Sequence, residues 1–167
     1  MNKITGTKNQ INFQRKAAGI ILFLLAVTVL SAKVPGEEEK VISVVKQFFA
    51  VMASRSVKDA KKILIPQGFS FSVRQNGNNS ALKISNFQEF IDSLPNLKEN
   101  YKEIMFNPKV LIHDRIAVLW APYKFYRDGK FSHSGVDAFS LIKTDEGWKI
   151  AGVIYTVERV ETLRKKD

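Results

Sequence analysis

The chain has 167 residues, a net charge of +10 and no cysteine. That length allows one domain and is short for two of ordinary size. Without cysteine, disulfides, thiolate ligands, a cysteine nucleophile and the attachment residue of a bacterial lipoprotein are all excluded. The charge is unevenly spread. Residues 1–33 carry Lys3, Lys8, Arg15, Lys16 and Lys33 and no acid, which leaves 21 basic against 16 acidic residues in the remainder. No element gathers basic and aromatic side chains into a stripe, so a nucleic-acid partner is not expected.

In chain order, Ala17–Leu30 is almost wholly apolar, follows Arg15-Lys16 and ends in Ser31-Ala32. This is the charged, apolar and small-residue succession of a secretory signal. The run is shorter than the roughly 20 residues a membrane helix needs. Residues 1–33 are therefore expected to be a signal peptide, or an N-terminal anchor if 17–32 stay uncleaved. The folded part is expected to be exported, either periplasmic or secreted, and to meet a membrane only in the anchored case.

Glu37-Glu38-Glu39 then open a segment in which Val41, Val44, Val45, Phe48, Phe49 and Met52 recur at helical spacing. Acids in the first turn suit the helix dipole, and the spacing predicts a long amphipathic helix. Ser56 is expected to cap a second helix, VKDAKKIL, stopped by Pro66. Phe69–Arg74 alternates as a strand, a polar turn follows, and Ala81–Ile84 pairs back. Ser85 or Asn86 caps a third helix, FQEFIDSL. Tyr101–Ile112 reads as one strand made irregular by Pro108, and His113-Asp114 turns the chain into the next. From Trp120 to Glu158 two hairpins are expected, with turns at Asp128-Gly129 and Asp145-Glu146-Gly147. Helices first and a strand meander last predict an α+β fold in layers.

A two-residue turn at Asp128-Gly129 pairs Tyr126 with Phe131, Lys124 with His133 and Trp120 with Asp137. A three-residue second turn pairs Thr144 with Trp148 and sets Tyr155 beside Asp137. One face of the sheet then collects Trp120, Tyr126, Phe131, His133, Asp137, Phe139 and Tyr155, the expected ligand pocket, while Ser132, Ser134, Ala138 and Ser140 suit the outer face. Pro122 is a place where a bulge would shift this register. A carboxylate between an indole and a phenol has its charged form disfavoured, which makes Asp137 a candidate acid/base, behind its readings as a structural acid that hydrogen bonds hold in the core and as a ligand contact. His133, four residues away on the same strand, lies about 13 Å from it by strand rise, too far for a dyad. No metal-ligand spacing and no cofactor motif occurs.

The element order, with Tyr123-Lys124-Phe125, His133-Ser134-Gly135-Val136-Asp137-Ala138-Phe139 and the closing Gly147-Trp148-Lys149-Ile150, resembles the nuclear transport factor 2-like superfamily, including its ketosteroid isomerase-like and SnoaL-like members. The resemblance covers about 37–160 and leaves 161–167 as a charged tail. It implies a curved antiparallel sheet wrapped around the long helix, with two shorter helices and a hydrophobic cavity at the open end of a cone, and a homodimer formed through the sheet. Functionally it implies a small apolar or aromatic ligand; an isomerase, cyclase or dehydratase resting on Asp137, or a purely structural module, are the other roles this scaffold hosts. The aspartate base and oxyanion tyrosine of the isomerases have no counterpart here: Gln67, Gly68 and Ser70 stand where the base would be, and Phe48-Phe49 where the tyrosine would be.

Overall fold

A computed structural model describes residues 36–76 and 79–158. The expected leader over 1–33 and tail over 161–167 lie outside the described residues. Helix α1 spans Glu37–Ser54 and buries Val41, Val44, Val45, Phe48, Phe49, Val51 and Met52. The Glu39 carboxylate accepts the Gly36 N–H at 3.0 Å, which answers one of the donors a helix start leaves open. Its far end stops at Arg55, which adopts a left-handed conformation, and the Arg55 guanidinium donates to the carbonyls of Lys98 and Glu99 at 3.3 and 3.2 Å.

Helix α2 covers Val57–Ile63 with Ser56 accepting the Asp59 N–H, and α3 covers Phe87–Ser93 with Asn86 as its cap. The strands are β1 (Leu64–Asn76), β2 (Asn79–Asn86), β3 (Tyr101–Met105), β4 (Lys109–His113), β5 (Ile116–Arg127), β6 (Lys130–Thr144) and β7 (Gly147–Val157). They form a single sheet in the order β2-β1-β7-β6-β5-β3, with β4 also on β5. The fold is α+β, but its sheet is mixed rather than antiparallel throughout, because β1 runs parallel to β7. The first and last strands become neighbours across the intervening chain, which no hairpin turn announces.

The strand expected over Tyr101–Ile112 divides. Pro108 cannot donate to a ladder, Asn107 takes φ 45°, and the two pieces pair with opposite ends of β5. The Phe106 N–H still reaches the Pro122 carbonyl at 2.8 Å, so the edge stays continuous across the break.

Both hairpins depart from simple counting. At Asp128-Gly129, with φ 46° and 75°, the turn pairs Arg127 with Lys130 and Tyr126 with Phe131, as expected. Ser132 is then an extra residue, and Phe125 faces His133, Tyr123 faces Gly135 and Ala121 faces Asp137. The bulge sits at Ser132, not at Pro122, and a one-residue slip exchanges the faces of everything beyond it. Trp120 therefore pairs with Ala138, not Asp137. In the second hairpin the turn has two residues, Asp145-Glu146, pairing Thr144 with Gly147 and Lys143 with Trp148; a second irregularity near Ala151 restores the count, and Asp137 does face Tyr155.

The inner face of the meander thus consists of Ala117, Leu119, Ala121, Tyr123 and Phe125 on β5 and Phe139 and Leu141 on β6, all buried. Helix α1 covers it, with Phe48 and Phe49 packed edge-on to Phe139 at 5.8 and 6.1 Å. The helix start is clamped by Glu37, which accepts Trp148 Nε1 at 2.9 Å and pairs with Lys143 at 2.8 Å.

Candidate functional site

Two strands converge on a pair of acids. Asp137 comes from the middle of β6, inward and 2 % exposed, with Ala121 and Tyr155 as its cross-strand neighbours. Glu103 comes from β3, where Tyr101, Glu103 and Met105 alternate with the outward Lys102 and Ile104. Side chains on a concave face converge, and the two carboxyls share a hydrogen bond. Oδ2 of Asp137 is sealed from solvent and finds no partner among the described donors. Among the described residues no cation is ion-paired with either acid, so burial and their mutual proximity favour a proton on the pair.

Burial is the main cause in both acids. It pushes Asp137 from 3.8 up to about 7, with the hydrogen bond from Glu103 offsetting part of the rise. Glu103 is driven well above the usual carboxylate range by burial, then by the charge and the hydrogen bond of Asp137. The two carboxyls titrate as one coupled pair, both above the ordinary carboxylate range.

Tyrosines frame the pair. Tyr123 crosses from β5 over Gly135 and donates to the Thr156 carbonyl on β7 at 2.7 Å. Burial, then the charges of Asp137 and Glu103, keep its phenol protonated well above the usual range. Tyr155 lies edge-on to Tyr123 at 6.5 Å. His133 stacks on Phe125 at 4.9 Å, lies edge-on to Tyr123, and exchanges a hydrogen bond with Ser132 through Nδ1 at 3.0 Å.

These groups open onto a cavity of about 460 Å³, lined by Glu103, Tyr101, Tyr123, Tyr155 and His133. Phe48, Met52, Phe87, Phe90, Phe125 and Val153 supply its apolar surface, and Ser70, Arg74, Lys83 and Ser85 supply the wall from β1 and β2. The half-buried Glu103 therefore presents the acid pair to any occupant, with Asp137 behind it.

Of the expected pocket residues, His133 and Tyr155 line the cavity and Asp137 lies directly behind the wall. Phe139 is core, wedged against Phe48 and Phe49. Trp120, 52 % exposed, is on the outer face, as are Tyr126 and Phe131, which pack on each other at 5.8 Å. The bulge at Ser132 is the reason: it keeps Tyr126 and Phe131 opposite one another while turning His133 inward. The indole expected across from Asp137 is replaced by Ala121, and Glu103 was not anticipated. Its signal was present, an acid at an inward position between Tyr101 and Met105, but it shows only once the strand is cut before Pro108. Among the described residues no cluster of three His, Cys, Asp or Glu is placed to hold a metal.

Solved structures share this architecture at low sequence identity. A nuclear transport factor 2-like protein from Salmonella enterica aligns at TM-score 0.58 and 10% identity, covering 74% of this chain and 92% of its own. An NTF2-like protein from Cytophaga hutchinsonii aligns at 0.61 and 9%, covering 74% and 99%, and a protein from Kribbella flavida at 0.59 and 11%, covering 77% and 97%. The helix-covered sheet and its cavity make this an NTF2-like cone domain. More narrowly, residues 36–156 match the family model described as "Putative lumazine-binding", and the chain belongs to that family. Among curated proteins nothing matches it.

Proposed function

We propose that the protein holds a small, flat, apolar or aromatic molecule in the cone and acts without catalysis. The observation that carries this reading is the acid pair opening, through Glu103, onto an aromatic-lined cavity of ligand size. The family description supports it, since lumazine is a flat heteroaromatic dione with N–H donors and carbonyl acceptors. A shared-proton acid pair offers a matching acceptor and donor. Calorimetric titration with lumazine should give saturable binding, weakened about tenfold in Glu103→Ala, the loss of one hydrogen bond. If neither lumazine nor the neutral aromatic probe N-phenyl-1-naphthylamine saturates the protein, the reading falls.

A second reading, a small isomerase, cyclase or dehydratase, is favoured by the carboxyl of Asp137 titrating at about 7, in the range a general acid/base needs. Turnover lost in Asp137→Asn, with unfolding still cooperative, would establish it.

The outer sheet face supports the homodimer. Leu111, Val118, Trp120 and Ile154 are exposed there on β4, β5 and β7, a set of apolar side chains of the kind that marks an interaction surface. Trp120→Asp should convert a dimer into a monomer by light scattering on a sizing column; a wild-type monomer would remove the dimer. We place the domain outside the cytoplasm, in the periplasm or secreted, on the strength of residues 1–33 alone, with 17–32 as a membrane anchor if they persist. N-terminal sequencing that finds Met1 on soluble cytoplasmic protein would overturn this.

A further inference from the structure

The cavity has one wall unlike the rest. On β1 and β2, Ser70 faces Ser85 and Ser72 faces Lys83, which sets Arg74 diagonally beside Lys83. Arg74, Lys83, Ser70 and Ser85 all line the cavity. Like charges on neighbouring strands repel. Among the described residues no acid is ion-paired with either cation. The other charged groups at the cavity are engaged. Glu89 receives the Asn86 amide at 2.9 Å as part of the α3 cap, and Arg127 pairs with Glu99 at 3.4 Å. Beneath Lys83, Ser72 is 2 % exposed, and its hydroxyl has no hydrogen-bond partner among the described residues.

Two exposed cations without an ion pair among the described residues and two hydroxyls on one wall, facing phenylalanines on the others, make a divided pocket. We propose that the β1–β2 wall is an anion subsite, and that the cone takes an amphipathic anion with its aromatic body against Phe48, Phe90 and Phe125 and a carboxylate- or phosphate-type head between Arg74 and Lys83. This deepens the ligand-binding reading above and rests on it. The polarity of the pocket fixes the orientation, because an anionic head beside Glu103 and Asp137 would meet carboxyls that already resist charge.

The test compares two probes alike in shape and different in charge, 2-naphthoate and 2-naphthamide, each displacing N-phenyl-1-naphthylamine from the full-length protein. Naphthoate should bind about tenfold more tightly, the worth of a charge-assisted contact. Arg74→Gln with Lys83→Gln should erase that preference while N-phenyl-1-naphthylamine still saturates the protein. Arg74→Lys with Lys83→Arg, which keeps both charges, should retain it. Equal affinity of the two probes for the wild type, or a preference that survives the glutamine pair, overturns the subsite while the cavity stands. No binding of the neutral reporter defeats the cavity reading and the subsite with it.

Discussion

At pH 8 the Glu103→Gln, Asp137→Asn double variant is expected to unfold at a higher temperature than the natural chain, and the difference should shrink steadily as the pH is lowered toward 4. The acids start from 4.5 and 3.8 when solvated; in the folded protein Asp137 rises to about 7 and Glu103 also rises well above its solvated value. The folded state therefore holds protons that the unfolded chain has released. Stability from the pair is complete below about pH 4 and is lost as the pH rises through 7. Neutral isosteres remove that loss, a gain on the order of 3 kcal/mol at pH 8 and a rise in midpoint on the order of 10 °C. Calorimetry at pH 4, 6 and 8 reads the slope directly. A natural chain that is the more stable partner at pH 8 would mean that a cation answers the pair, and the shared-proton geometry would be wrong.

The acid limb of the same profile belongs to other groups. Glu37 is held down to about 2, first by its hydrogen bond from Lys143, then by those from Lys40 and Trp148. That contribution is present above 4.5 and lost as the pH falls toward 2, so both proteins should weaken together there. The natural chain then has its stability maximum near pH 4 to 5, between the two opposing trends.

Gly135→Ala should be the most damaging single methyl in the meander. A Cβ built there stands 2.1 Å from the Thr156 carbonyl oxygen and 2.9 Å from its carbon, both main-chain atoms that cannot swing aside. The same carbonyl accepts the Tyr123 hydroxyl, and the Tyr123 ring crosses β6 above this glycine. Relief would require β6 and β7 to part beside Asp137. A loss of about 3 kcal/mol or more is expected, with a fall in midpoint on the order of 10 °C. Ligand affinity should fall with it, because Asp137 and the cavity-lining Tyr155 sit on the two strands that must separate. An unchanged midpoint in a thermal melt would show that the close approach is not a feature of the folded protein.

Local chemistry made much of this molecule legible in the sequence. The apolar spacing from Val41 to Met52 yields α1, Ser56 and Asn86 cap α2 and α3, and Asp128-Gly129 makes the first hairpin. Helices followed by a meander led to the α+β cone, and the pairing of Tyr155 with Asp137 was reached although the count behind it differed. There the two-residue turn and the irregularity near Ala151 compensate one another.

What the tertiary structure alone decided comes from single-residue events and from chain-distant meetings. A strand has a side-chain period of two, so the one extra residue at Ser132 was enough to send Trp120, Tyr126 and Phe131 outward and to bring Tyr123 in. No propensity in Phe131-Ser132-His133 marks that bulge. The partnership of Glu103 with Asp137 and the parallel contact of β1 with β7 join residues far apart in the chain, and no local pattern announces them. Residue periodicity determined that this chain has an inner face and which segments build it; only the folded sheet determined that the face carries a buried acid pair on the same cavity as Arg74 and Lys83.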